Sequence, residues 1–184
     1  MSVVSAAPPA KVAVGMFAAF VPLIRAADGL TLSQVCALSS LEPSTVQNWI
    51  KRGFVPHPVG KKYHERHLSR IMLIADLREC LQIDRIGSLM RFINGNADDE
   101  SDDIIPEETL YDLFHEVAHE LDSGLPPDGI EPVIERCAVR YLPDDAARER
   151  VARALAVMSY AYIAGRYKQR ADGLYIHNIL SDKE

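Results

Sequence analysis

His115-Glu116-Val117-Ala118-His119 is the sharpest chemical spacing in the chain. On a helix, histidines four apart stand one turn apart and could grip zinc while Glu116 serves as base. Glu131 or Glu135 would supply the third ligand of such a zinc-dependent hydrolase. Two features argue against this. A charged residue, Glu120, follows the second histidine, and no sheet is evident nearby to form a substrate cleft. An amphipathic helix with Phe114 and Val117 inward and the histidines at its polar edge accounts for the same residues without a metal. No catalysis, cofactor or metal is expected.

The second constellation suits recognition rather than catalysis. In Pro43 to Arg52, Val46, Trp49 and Ile50 fall at i, i+3 and i+4 and form one apolar stripe. Trp49 is therefore expected in the core, not stacked on a base. Ser44, Thr45, Gln47, Asn48, Lys51 and Arg52 are left off the buried face. A helix fits the major groove of duplex DNA, where amides and hydroxyls read base edges and lysines meet phosphate. Lys61, Lys62 and Tyr63, with Arg66 beyond, would hold the flanking backbone.

Positioning these groups falls to the elements around them. A first helix is expected over Leu32 to Leu38, capped by Thr31 or Ser33, with Leu32, Val35, Cys36 and Leu38 inward. Ser39 to Glu42 is the turn. Pro43 opens the second helix, where its missing donor costs nothing, and Gly53 closes it. Val55 to Tyr63 is a proline-bounded basic loop in which Val59-Gly60-Lys61-Lys62 could make a small hairpin. Glu65 to Leu81 reads as a central helix, apolar on more than one side. His64 and His67 are expected as cap and surface residues at its start. Ile83 to Ile93 follows, capped by Asp84 or Gln82.

TLSQVCALSSLEPSTVQNWIKRGFVPHP resembles the winged helix-turn-helix of MerR-like regulators, and GKKYHERHLSRIMLIADLREC resembles their wing and following helix. More narrowly, NWIK, PVGKKY and ERHL resemble the bacterial family called domain of unknown function (DUF) 1836, a set of MerR-like transcription regulators. The resemblance covers Val14 to Phe92. It implies DNA binding in transcription control, with the ten residues from Ser44 to Arg66 named above as the contacts.

Charge is unevenly placed. The net charge is −6, but residues 1–97 hold 11 basic and 6 acidic side chains, a balance of +5, while residues 98–184 hold 9 and 20, a balance of −11. Between Ser44 and Arg70, Lys51, Arg52, Lys61, Lys62, Arg66 and Arg70 face Glu65 alone. Because salt limits electrostatic reach to about 8–10 Å, local charge matters more to phosphate than the total. Cys36, Cys80 and Cys137 are too scattered for a disulfide framework and are expected as small core residues in a reducing compartment. With no signal peptide or spanning run evident, a cytoplasmic protein is expected.

Met1 to Pro9 is expected to fray. Val12 to Arg25 should be a helix, kinked or restarted at Pro22, whose Val14, Phe17, Ala18, Val21 and Ile24 cover the helix-turn-helix core. Ala97 to Glu108 reads as a solvated acidic linker without the spacing of a calcium loop. Beyond it come helices at Glu107 to Leu121 and Ile130 to Tyr141, separated by a loop at Ser123 to Gly129. Asp145 to about Arg170 carries a narrow stripe suited to close helix contact. The apolar tail Leu174 to Leu180 should pack back onto the body.

These expectations add up to an all-α protein. Residues 1–96 would form the winged helix-turn-helix domain, 97–106 the linker, and 107–184 a helical dimerisation or effector domain. The expected partners are double-stranded DNA and a second copy of the chain through the C-terminal helices, with an unknown effector and no membrane. Two alternatives stay open: a zinc-dependent hydrolase using His115, Glu116 and His119, and a protein-interaction module that uses the same helix-turn-helix without DNA.

Overall fold

The computed structural model describes residues 15–122, 124, 126 and 128–180. The expected frayed start, Val14 of the first helix, and Ser123, Leu125 and Pro127 of the expected loop lie outside the described residues. The architecture is all-α, with eight helices and no named strand among the described residues. They are α1 Val21–Ala26, α2 Leu32–Ser39, α3 Pro43–Lys51, α4 Glu65–Leu77, α5 Ile83–Asn94, α6 Glu107–Leu121, α7 Glu131–Ala138 and α8 Asp145–Tyr175.

The centre of the fold is α4. Leu68, Ile71, Leu73, Ile74 and Leu77 are all fully buried, and the helix packs against α2, α5, α6 and α8. Its two-sided apolar face is what the sequence leads one to expect, although the helix stops at Leu77, short of Leu81. Around it, one continuous core joins Val35, Val46 and Trp49 at the front to Leu113, Phe114, Val117, Leu155 and Met158 at the rear.

Residues 97–106 differ from a solvated linker. Ala97 and Ile105 are buried, and the Asn94 amide clamps the segment. It donates to the Ile105 carbonyl at 2.7 Å and accepts from the Ile104 and Ile105 N–H groups at 3.1 and 3.3 Å. Glu107, read from sequence as a solvated first-turn carboxylate, is buried against Arg70 of α4. Apolar burial thus runs without a break from the α3 region to α6.

The N-terminal segment also differs. Met16–Ala19 is a 3-10 turn rather than α-helix, while at Pro22 the chain restarts as α1, one of the two outcomes the sequence leads one to expect. Phe17 packs edge-on against Tyr111 of α6 with ring centroids 5.6 Å apart, and its N–H donates to Asp112 Oδ1 at 2.7 Å. Part of this element therefore covers the rear of the molecule. Of the cysteines, Cys137 is buried, Cys36 is half-buried and Cys80 is exposed just past α4, where no stripe continues to cover it.

The last α-helix, α8, is longer than its sequence stripe suggests, 31 residues or about 46 Å, and a π-helical turn, Ile176–Leu180, follows it. Val151, Ala154, Leu155, Met158, Ala161 and Gly165 bury its first two-thirds. From Arg166 to Ile179 every side chain is exposed, so the apolar tail does not fold back.

Candidate nucleic-acid interface

Two helices and a tight turn place the recognition candidates. Thr31 caps α2 reciprocally with Gln34: the Gln34 N–H reaches Thr31 Oγ1 at 3.3 Å, and the Thr31 N–H reaches Gln34 Oε1 at 2.8 Å. Ser40 adopts φ 54°, which turns the chain sharply, and Leu41 is buried under the turn. Val46, Trp49 and Ile50 then anchor α3 on the core, as their spacing predicts.

The outward face of α3 is a row. Ser44, Gln47, Asn48 and Lys51 stand at i, i+3, i+4 and i+7, all exposed, and their side chains have no hydrogen bond or ion pair among the described residues. Thr45 is half-buried at the edge. These groups offer donors and acceptors to an outside partner.

The C-terminal end of α3 is fixed from two sides. Gly53 takes φ 71°, and the Phe54 N–H returns to the Trp49 carbonyl at 2.9 Å. The Phe54 ring rests on Gly87 of α5, where an added Cβ would lie 2.5 Å from the ring. Arg52 covers that ring at 4.6 Å and is paired with Asp84 of α5 at 2.7 Å. Arg70 Nε donates to the Phe54 carbonyl at 2.7 Å while its guanidinium pairs with Glu107.

The basic loop forms the smallest possible hairpin. Val59 and Lys62 exchange backbone hydrogen bonds of 3.1 and 2.8 Å around Gly60 and Lys61. Both loop residues have positive φ, 56° and 65°. Glycine tolerates this freely, whereas at Lys61 it costs roughly 1 kcal/mol. Tyr63 then bridges to Leu30 with bonds of 2.8 and 2.9 Å, tying the loop to the entry of α2.

The basic residues part company here. Lys61 is exposed and has no partner among the described residues, like Lys51. Lys62 instead turns inward, with Nζ donating to the Ala27 and Gly29 carbonyls at 3.0 Å each. Tyr63 is buried, which raises its hydroxyl pKa, so its ring is core rather than contact surface. Arg66 is nearly covered; it pairs with Glu100 at 3.0 Å and Asp103 at 3.5 Å and donates to the Asp99 carbonyl at 3.1 Å. Asp98 accepts from the His57 backbone N–H at 2.7 Å and meets its ring at 3.0 Å. The acidic segment thus sits on Arg66, one of the cations expected to meet phosphate, and on His57.

His67 acts as a cap but is buried, not a surface residue. Its Nδ1 accepts from the His64 N–H at 3.0 Å, which leaves Nε2–H to donate to the His57 carbonyl at 3.0 Å. Burial lowers its pKa and keeps the ring neutral.

Residues 28–114 match the family model described as Domain of unknown function (DUF1836). That segment begins before α2 and ends inside α6, so it includes the acidic segment and the Arg70–Glu107 pair. The chain is also similar to the uncharacterized protein YkrK of Bacillus subtilis (strain 168), 29% identical over 85 residues. This covers 44% of the present chain and 36% of the relative, so the chain spans about a third of the length of the curated protein it matches. No solved structure matches it.

The histidine-glutamate motif, which begins just beyond the segment matching the DUF1836 model, is dispersed. His115 Nε2 meets Asp76 of α4 at 3.0 Å and its ring lies 4.2 Å from Tyr111, whereas His119 is exposed. Glu116 pairs with Arg140 and accepts from the Tyr141 hydroxyl at 3.0 Å. Among the described residues, one metal-sized group is present: Glu116, Glu120 and Cys137, with ligand atoms within 4.8 Å of one another. Arg140 and Arg136 already neutralise its carboxylates, and burial together with Glu120 pushes the Cys137 thiol up to about 11. His115 and Glu116 are thus engaged in ring packing and ion pairs, and His119 stands apart from them on the surface.

Proposed function

We propose that this chain is a sequence-specific DNA-binding transcription regulator built on a MerR-like winged helix-turn-helix. The α3 row Ser44, Gln47, Asn48 and Lys51 enters the major groove, and Lys61 at the hairpin tip meets the flanking phosphates. The unpartnered polar row on α3 carries this reading, because it has the length, width and donor–acceptor chemistry for base edges. Lys61 adds to it: a lysine is kept where glycine or asparagine would relieve strain, which fits a position used for its charge. The order helix, turn, helix, hairpin is also that of the winged motif. One such module makes few contacts, so two copies on paired half-sites supply the affinity.

A protein-interaction module is favoured by a different observation. Arg52, Arg66 and Arg70 are all paired with acids of the same chain, leaving a modest field for phosphate. Titration of duplex DNA across a salt series separates the two. A DNA reader loses affinity steeply with salt, and Gln47→Ala with Asn48→Ala flattens its sequence preference. An interaction module binds no duplex beyond background at any salt.

A further inference from the structure

The turn between α2 and α3, the end of α4 and the middle of α8 enclose a cleft of about 640 Å³, a volume that suits a small molecule. Ser40 and Leu41 form one wall, Arg78 and Glu79 a second, and Gly165 and Arg166 the third. Its polar groups fall into two sets. Asp76 is held by His115 at 3.0 Å, and Arg166 by Asp122 and the Tyr162 hydroxyl, each at 3.4 Å. The body of the molecule fixes these groups in place. Arg78 and the Ser40 hydroxyl, by contrast, have no partner among the described residues, and Glu79 has only Lys168, at 3.9 Å. A free guanidinium and a loosely held carboxylate thus stand side by side on one wall.

Gly165 is a separate observation. It is buried inside α8, where glycine weakens a helix relative to alanine. An added Cβ would stand 3.5 Å from Glu79 Cβ and 3.7 Å from Cys80 Sγ, both ordinary contacts. Neither a clash nor a positive φ calls for glycine here. What glycine does supply is room at the floor of the cleft.

We propose that the cleft binds a small zwitterion, a free α-amino acid. Its carboxylate accepts paired hydrogen bonds from the Arg78 guanidinium, and its ammonium group donates to Glu79. A molecule with only one of these charges leaves the other wall group to lose water without gaining a partner, which makes the pair selective. The ligand's own side chain lies over Leu41 toward the space left by Gly165. The bound amino acid touches the turn that sets α3 and the long helix together, so it is placed to bias recognition of DNA. That consequence rests on the proposed function; binding itself does not.

Calorimetric titration of the full chain, free of DNA, with each standard L-amino acid tests the site. At least one is expected to bind with a dissociation constant below about 1 mM. The corresponding amine without the carboxylate, and the corresponding acid without the ammonium, should each bind about tenfold more weakly or worse. Arg78→Ala, an exposed change, should weaken binding by about tenfold or more with unchanged helicity. Gly165→Leu should block the floor, whereas Gly165→Ala keeps the fold and most of the space. Absence of binding by every amino acid, equal binding of the amine or acid alone, or an affinity unmoved by Arg78→Ala would each overturn the inference. Since no duplex is present, its failure and a failure of DNA recognition are read separately.

Discussion

Arg70 and Glu107 form an ion pair at 1% and 0% side-chain exposure, linking the helix that follows the basic hairpin to the first helix of the acidic rear segment. The pair also reaches α3, since Arg70 Nε holds the Phe54 carbonyl. A charge so deeply placed tolerates the loss of its partner poorly. Arg70→Met or Glu107→Gln should each cost about 3–5 kcal/mol in urea unfolding, because each strands polar groups out of reach of water. Replacing both by apolar residues should recover part of that loss. A cost below about 1 kcal/mol for either single change would mean the site admits water.

Much of this arrangement could be read from spacing. The bounds of α6 and the inward sets Val46–Trp49–Ile50 and Leu110–Leu113–Phe114–Val117 follow from helical periodicity, because burial of one face decides both. Arg70 was legible too: it stands at i+3 from His67 and i+4 to Ile74, on the buried face of α4. Counting it only as positive charge hid that position. Its acidic partner, 37 residues away, left no local signal. The same holds for Lys62 and Arg66, whose partners are backbone carbonyls and acids brought near by the fold. Periodicity reports which face is buried; it carries no record of what an isolated charge will meet there.

Gly87 offers a test of how firmly α3 is anchored. In an exposed helix, Gly→Ala gains about 1 kcal/mol of helix propensity. Here the new Cβ would lie 2.5 Å from the Phe54 ring, so overpacking should outweigh that gain. Thermal unfolding of Gly87→Ala is expected to show net destabilisation of about 1–2 kcal/mol. A stabilised variant would show that Phe54 can move aside freely.

Three lysines should separate by role. Lys51→Ala should weaken DNA binding across all sequences and reduce the salt slope by about one. Lys61→Asn should weaken binding in the same way yet raise thermal stability, since asparagine accepts the positive φ that strains lysine. Lys62→Met should lower stability through the lost Ala27 and Gly29 contacts, with DNA binding following only as the fold loosens. Equal losses of DNA affinity in well-folded variants of all three would erase this distinction.

The acidic segment should restrain binding in a pH-dependent way. Burial pushes Asp103 up to about 6 against the attraction of Arg66, from an ordinary value of 3.8. Its proton therefore stabilises the fold below pH 3.8, and that contribution is lost as pH rises through about 6. His67 acts oppositely: its pKa lies below 6.5, so the stability it lends above 6.5 is lost as pH falls. Ionised Asp103 helps to hold Arg66, and protonation near pH 6 removes that one contact while Glu100 and the Asp99 carbonyl remain. Duplex affinity at fixed salt should then rise as pH drops through about 6, and Asp103→Asn should flatten that rise. Glu100→Gln should tighten binding at neutral pH by a few-fold, given its exposed pairing with Arg66. Unchanged affinity in both variants would mean that Arg66 plays no part in the interface.

The most direct trial of the central claim is selection from random duplex DNA at stated salt, run in parallel on the wild type and on Gln47→Ala/Asn48→Ala. The account predicts that the wild type enriches a defined motif of two half-sites and that the double variant, still folded, enriches a degenerate one. Enrichment of nothing by the wild type, or the same motif from both proteins, would contradict it.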